Sequence, residues 1–520
     1  LGKDMPGLDT TILEAVDHAV AINRIQDDTR TDFIWAPHLS AIFRFCGDRL
    51  WEQLRRDLRS GTYEPELPIS IRAPKRGGFT RPGSILNPAD RLVYQVLADI
   101  CAPTIEGQLD RSRVFSNVYQ PEAGSGVMFA PQGDGWTRIQ NHIRTMAAGG
   151  GHFVVGDIAH YFERVPQHHL INLVRASGAP SEVIRLLEEI FLAFQERDSF
   201  GIIQGVYPSD LFGNFYLSDL DAQCELKGWQ SARFVDDFYI HFNERRDAER
   251  GLSDIIDALR RDGLHLNEGK SGIRVAEDLI WEETELDRLL DEAWEEAMDE
   301  HDGFHFEYGF TTEWDDKPNE EELRVTSIER IYTAIDEYPH ATEKIEKFCL
   351  PILRMARSDV AIDRAVNGVR ERPHLARLYL AYLAEIARHD VAVSRRVQQI
   401  LTQNDLAFDY QRLFLLSSLL NAAGIQRDAT LKAVRLLQDR SVHPSVRAVA
   451  AIFAARHGTP QHRRTVRTSY EDEESAYVKA AILYASMYFT AAERRTCIRA
   501  WGGHSFTNTL IAEATRQISD

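Results

Sequence analysis

At 520 residues, 44% hydrophobic and 27% charged, the chain reads as a globular protein of two to four domains. It has no uncharged apolar run of about 18 residues and no basic-then-apolar leader pattern, so a membrane span and a signal peptide are not expected and a cytoplasmic location is. Five isolated cysteines (Cys46, Cys101, Cys224, Cys349, Cys497), none in a C-x-x-C pair, argue against a disulfide framework or a zinc site. The net charge is −19, but residues 277–324 hold 20 acidic and 3 basic residues, net −17, which leaves −2 on the rest. A near-neutral body argues against gripping a long duplex through many phosphate contacts.

In chain order, the first 70 residues read as helical. Thr10-Thr11 precedes an apolar-periodic run through Leu13, Val16, Ala19 and Ile22, and a second run extends from Leu39 to Leu58. An extended piece from Leu67 to Arg72 enters Lys75-Arg76-Gly77-Gly78, a hairpin or loop carrying cations, and Arg81-Pro82 follows. Pro88 starts a helix through Leu92, Val93, Val96 and Leu97. From Gly149 to Ile273 strands and helices alternate. His152 to Gly156 is a β-type run that stops at Asp157, and Pro166 opens a helix whose His168-His169 reads as surface. Arg233 to Phe242 is a strand–turn–strand interrupted by Asp236-Asp237. Beyond the acidic block, amphipathic segments recur at Leu375–Asp390, Tyr410–Gly424, Pro444–Gly458 and Ser475–Phe489, a spacing of about 31–35 residues that suggests stacked helical pairs, with an irregular bundle as the alternative.

An acidic pair in a turn means little alone, because Asp is common in turns. Its order in the chain adds meaning. Asp157 ends a strand and is followed by Tyr161-Phe162, then Gln204-Gly205, Ser209 and Asn214, then Asp236-Asp237, then Lys270. Phosphoryl transfer needs positioning and charge neutralisation more than covalent chemistry. A pair of divalent ions about 4 Å apart supplies both, and hard Mg²⁺, or Mn²⁺ in its place, takes carboxylate oxygens. One Asp at a strand end and two at a hairpin turn can converge on such a pair. Lys75, Arg76 and Arg81 can bind a triphosphate, the small Gly205 and Ser209 allow close backbone approach to a nucleotide or base pair, and Lys270 can protonate a leaving pyrophosphate. Each cation also has the plain reading of a surface residue.

These residues resemble the reverse-transcriptase family. Gly156-Asp157-Ile158-Ala159-His160-Tyr161-Phe162 is similar to its first palm motif, and the stretch from Gln204-Gly205 to Asn214 to its second. Phe234-Val235-Asp236-Asp237 resembles its aspartate hairpin, Leu266 to Lys270 its lysine motif, and Arg81-Pro82 with Asn87 to Gln95 its fingers motifs. The resemblance spans about residues 60–275. It implies an α+β right-hand fingers and palm followed by an all-α helical-repeat, HEAT-like solenoid domain. The divisions are then 1–70 for the N-terminal helices and start of the fingers, 71–275 for fingers and palm, 276–325 for an acidic thumb-replacing linker, and 326–520 for the helical repeats. It also implies that Asp157, Asp236 and Asp237 bind the metals, that Gln204, Gly205 and the cations contact nucleotide, and that Phe162 is a steric gate selecting dNTP. Phe234 and Asp210 depart from the usual residues, the latter standing where bacterial relatives have proline.

The layout after Lys270 resembles the Abi abortive-infection polymerases, in particular a prophage-carried type. That implies phage defence, template-independent single-stranded DNA synthesis primed from a hydroxyl of the protein, product attached to the chain, and homo-oligomers such as trimers or hexamers. Tyr63, Tyr379, Tyr382, Tyr484 and Tyr488 give no single priming residue. Two other readings stand beside it: an RNA-templated enzyme of retron or group II intron type, and a non-enzymatic helical scaffold with a vestigial palm.

Overall fold

The computed structural model describes residues 7–121, 126–195, 198–279, 286, 288–290, 293, 325–403 and 405–519. Most of the expected acidic linker, 276–325, lies outside them. The chain divides into two units. The first comprises Leu1–Asp28, Gly47–Pro68 and Leu86–Glu282, the second Thr29–Cys46, Ile69–Ile85 and Glu283–Asp520.

In the first unit the apolar run at the N-terminus forms two helices, Thr10–Ala15 and His18–Asp28. Val16 is extended (ψ 123°), and the Asp17 carboxylate restarts the helix by accepting the Val20 N–H at 3.1 Å. The helix Pro88–Glu106 begins as its sequence suggests, with Asn87 accepting the Asp90 N–H at 2.9 Å and Pro88 in the first turn. Leu92, Val93 and Leu97 are fully buried.

The core of this unit is a four-stranded antiparallel sheet. Numbering all strands along the chain, β1 is Ile69–Pro74 and β2 Thr80–Ile85, both of the second unit; β3 is His152–Asp157, β4 Gln230–Phe234, β5 Asp237–Phe242 and β6 Gly272–Val275. The sheet order is β4-β5-β3-β6. Register pairs Phe153 with His241 and Asp157 with Asp237. The helix Gln132–Ala147 lays Ile139, Ile143 and Met146 against Phe153, Ala232 and Tyr239 on one side. Each such side chain, fully buried, contributes about 1.5–3 kcal/mol. The helix Arg245–Arg261 packs on β3, β5 and β6 through Ala248, Ile255 and Leu259.

The second unit is largely helical. Six helices begin at residues 342, 376, 409, 444, 476 and 506, steps of about 30–35 residues, and each packs on the next of the series. The helices between them, at Ile362–Glu371, Val391–Gln403, Arg427–Gln438 and Pro460–Asp472, pack on one another in turn. The four recurring segments of the sequence fall on the first series.

The hairpin β1–β2 belongs to this unit, although the sequence suggested consecutive divisions at residues 70 and 325. Side chains explain why. β1 packs on the helix Asp409–Ser418, His443 Nε2 lies 2.8 Å from the Ser70 carbonyl, and the Phe33 ring fills the space a side chain on Gly83 would need. The long helix Pro37–Ser60 loses helical geometry at Cys46 (φ −133°), where the division between the units falls.

Candidate active site

Three carboxylates meet at one end of the first unit's sheet. Asp157 and Asp237 are directly opposed on β3 and β5, so their side chains share a face. Asp236 sits in the two-residue turn between β4 and β5. Burial, then Asp237, then Asp157 push the Asp236 carboxyl up to about 6. Asp237 is raised by burial and by Asp157.

Asp157 is held from a neighbouring loop. Its Oδ2 accepts from Asn267 Nδ2 at 2.9 Å and its Oδ1 from Lys270 Nζ at 2.8 Å. Its backbone N–H donates to Ser271 Oγ at 3.0 Å, and its carbonyl accepts from the Asn267 N–H at 2.8 Å. Lys270 is raised first by its hydrogen bond to Asp157, with Asp237 and Asp236 adding to it.

The turn carrying Asp236 is strained. Val235 has φ +54°, a left-handed conformation that a β-branched residue rarely adopts. Two-residue hairpin turns ordinarily place Gly or Asn there. A buried network holds this geometry. Arg233, 1% exposed, donates from Nη1 to the Val235 carbonyl at 2.8 Å and to Asn214 Oδ1 at 2.9 Å. Its Nη2 reaches Asp221 Oδ2 at 2.6 Å and the Asn214 carbonyl at 3.0 Å. Ser116 Oγ accepts the Val235 N–H at 2.8 Å and donates to Asn214 Oδ1 at 3.0 Å. Both polar groups of the strained residue are thereby paired.

Phe162 sits on a short helix, Tyr161–Arg164, in the same unit. A side chain on Gly213 would come within 2.9 Å of the Phe162 ring, so the ring rests on the bare backbone there. The Tyr161 hydroxyl donates to the Gly213 carbonyl at 2.5 Å. Gly205, at φ +82°, turns the chain into the helix Tyr207–Tyr216, and Gln204 beside it is half-buried. The first turn of that helix is anchored by Asp28, which accepts the Tyr207 N–H at 2.9 Å and pairs with Arg91 at 2.5 Å. Ser209 is fully buried, its hydroxyl 3.0 Å from that of Tyr94. It is therefore a core contact and offers no open surface to a nucleotide.

The expected site residues thus fall into two sets. Asp157, Asp236, Asp237 and Lys270 act on one another electrostatically within the first unit, which also holds Phe162, Gln204 and Gly205. Lys75, Arg76 and Arg81 lie in the second unit, on the β1–β2 hairpin. Lys75 and Arg76 are exposed at its tip, whereas the Arg81 guanidinium lies 4.7 Å from the Phe33 ring centre. Arg233, Asp221, Ser116, Asn267, Ser271 and Gly213 were not singled out from sequence. An arginine in a short apolar strand beside a two-residue turn was the available signal for Arg233; Asp221, Ser116, Asn267 and Ser271 carried none.

Asp236 and Asp237, both raised by burial and by the acidic groups beside them, have with Asp157 the chemistry of a hard divalent cation's ligands, and a cation would relieve that repulsion. Among the described residues, no group of three or more His, Cys, Asp or Glu side chains already stands close enough to hold a metal ion. Asp157 is instead turned to Lys270 and Asn267, so a cation would take the place of the ammonium there.

No curated protein sequence matches the chain. Residues 73–306 match the family model described as reverse transcriptase (RNA-dependent DNA polymerase), whose polymerases generally use divalent metals. The opposed aspartates of β3 and β5 lie within that match, and the chain therefore carries a reverse-transcriptase domain over residues 73–306 and is a nucleotidyltransferase.

Proposed function

We propose that the chain polymerises dNTPs into single-stranded DNA without a template, starting from a hydroxyl of the protein, in abortive-infection anti-phage defence. The observation that carries this is charge. Residues 1–276, which bear the three carboxylates, have 30 basic and 38 acidic residues, net −8. A polymerase that clamps a primer–template duplex neutralises many phosphates. This stretch is poorly supplied for that task. Asp157, Asp236 and Asp237 hold Mg²⁺ or Mn²⁺, which supplies the charge neutralisation that nucleotidyl transfer needs. Lys270 gives a proton to the leaving pyrophosphate. Phe162 excludes the 2′-hydroxyl of an rNTP, and Gln204 and Gly205 contact the nucleotide. The alternating packing of the second unit supports a HEAT-like solenoid, which assembles the chain into a trimer or hexamer in the cytoplasm. Among the described residues no helix is long and apolar enough to cross a membrane.

Several hydroxyls are poor starting points. Tyr63 is buried and donates to Asp90 at 2.5 Å. Tyr379 and Tyr382, at most 1% exposed, donate to Glu346 and to the Ser358 carbonyl.

The test is incubation of purified protein with dNTP and Mg²⁺, without primer or template, followed by intact mass spectrometry and peptide mapping. Covalent nucleotide on the protein, absent in Asp236→Ala, is the expected result. Incorporation only on an annealed RNA template overturns untemplated priming and favours the second reading, RNA-directed synthesis, which the family description supports.

A further inference from the structure

The second unit carries an opposite charge. Residues 325–520 hold 27 basic and 21 acidic residues, net +6 in a chain of net −19. The excess is concentrated. The four helices Val391–Gln403, Arg427–Gln438, Pro460–Asp472 and Ala491–Trp501 contain 11 basic and 4 acidic residues.

They are neighbours. The first three pack in succession, and Arg467 reaches Glu493 of the fourth at 3.8 Å. Each turns its apolar side to a helix of the other series: Val466 and Tyr470 are buried in one, Cys497, Ile498 and Trp501 in another. Helical spacing then sends Arg395, Arg427, Arg435, Arg464, Arg495 and Arg499 to solvent, and all six are exposed. Among the described residues none of the six is in an ion pair with a carboxylate. The acidic residues of these helices are Asp428, Glu471, Asp472 and Glu493, and Glu493 is engaged with Arg467. Burial, Arg412 and Arg435 together lower Lys432, so like charges are crowded at this point of the face.

Ten of the 11 cations are arginine, whose planar fork pairs with phosphate more specifically than an ammonium does. The large apolar side chains exposed on these helices are Val391 and Leu431, with no aromatic ring among them. The face can therefore take phosphates but offers no platform for stacking bases. Four helices about 8–10 Å apart extend over roughly 30 Å, the length of several nucleotides.

We infer that this face binds single-stranded DNA through its phosphates, without reading base identity. The inference needs only that the chain makes nucleic acid, and holds whether or not synthesis is templated. The test uses full-length protein and fluorescent oligo(dT) and oligo(dA). Arg464→Glu, Arg495→Glu and Arg499→Glu are combined, and anisotropy is followed between about 50 and 200 mM salt. The matched control combines Arg245→Glu, Arg246→Glu and Arg250→Glu on the helix Arg245–Arg261 of the first unit. Loss of three phosphate contacts lowers the log–log salt slope by about 2. The expected result is that loss, with affinity down tenfold or more for both oligomers alike and the control unchanged. Circular dichroism and a triple Arg→Gln version with the same direction of effect exclude misfolding. Unchanged affinity, equal loss in the control, or a duplex that binds better than the single strand would each overturn the assignment.

Discussion

Replacing Arg233 by methionine separates its two duties. The guanidinium balances the Asp221 charge and holds the carbonyl of Val235, the strained residue beside Asp236. The Arg233 and Asp221 side chains are only 2% and 12% exposed, so Arg233→Met leaves a nearly buried carboxylate unpaired. That costs about 3–5 kcal/mol, a large part of a typical stability of roughly 5–15 kcal/mol. Adding Asp221→Asn removes the orphan charge and should return stability to within about 1–2 kcal/mol of the parent. The Val235 carbonyl remains without its donor. A left-handed valine stores about 1–3 kcal/mol, and without its anchor the turn relaxes away from the geometry that presents Asp236. At about 1.4 kcal/mol per tenfold, kcat in the double variant should stay about 10- to 100-fold low. Urea unfolding and steady-state dNTP incorporation, with a Mg²⁺ titration, read the two effects separately. A double variant with normal stability, kcat and Mg²⁺ dependence would refute the idea that Arg233 positions the turn.

Gly213→Ala places a methyl against the Phe162 ring and should displace it at little cost to the helix, so discrimination against rNTP falls; an unchanged dNTP-to-rNTP ratio in kcat/KM, with Phe162→Ala relaxed as control, would show that the glycine does not seat the ring. Lys270→Met should leave the denaturation midpoint nearly unchanged, because the Lys270 side chain is 67% exposed, yet lower kcat about 100-fold or more; loss of stability with kcat intact would make it a structural cation only. Burial raises the Asp210 carboxyl to about 7, against an ordinary value of 3.8, despite Arg91. The folded state then binds the extra proton between about pH 4 and 7, so stability is highest below that window and is lost as pH rises through it, by up to about 1.4 kcal/mol per pH unit. Unfolding free energies of Asp210→Asn should lack this slope, and parallel pH profiles would refute it.

The aspartates were legible because chemistry fixes both residue type and order: Asp157 ends a β-run and Asp236-Asp237 interrupts another, and strand pairing places the first opposite the last. The C-terminal helices were legible through their recurrence, since each stacked helix must bury a similar apolar stripe. What stayed hidden were partners distant in sequence. Ser116 lies 119 positions from Val235, and Asn267 lies 110 from Asp157. Nothing local in either residue announces the contact. The β1–β2 hairpin shows a second limit. Its cations read correctly as a loop between extended segments, but local pattern could not show that β1 packs on the helix Asp409–Ser418. The break at Val16 is a third case, where apolar periodicity continued across Asp17 but that carboxylate was better used as a cap.

Charge is where whole-chain arithmetic misleads most. A body of net −2 outside the acidic block looks neutral, yet it is the sum of −8 before that block and +6 after it. The negative part contains carboxylates suited to cations, and an ion there offsets charge at the reacting phosphates alone. The positive part contains arginines spread over four neighbouring helices, where a flexible strand can meet several at once. On this reading catalysis and strand retention depend on different electrostatics: one on short, half-buried contacts, the other on exposed charges that salt screens within about 10 Å at 0.1 M. Rising ionic strength should therefore release the strand from the arginine face at concentrations that leave the addition of each nucleotide nearly unaffected.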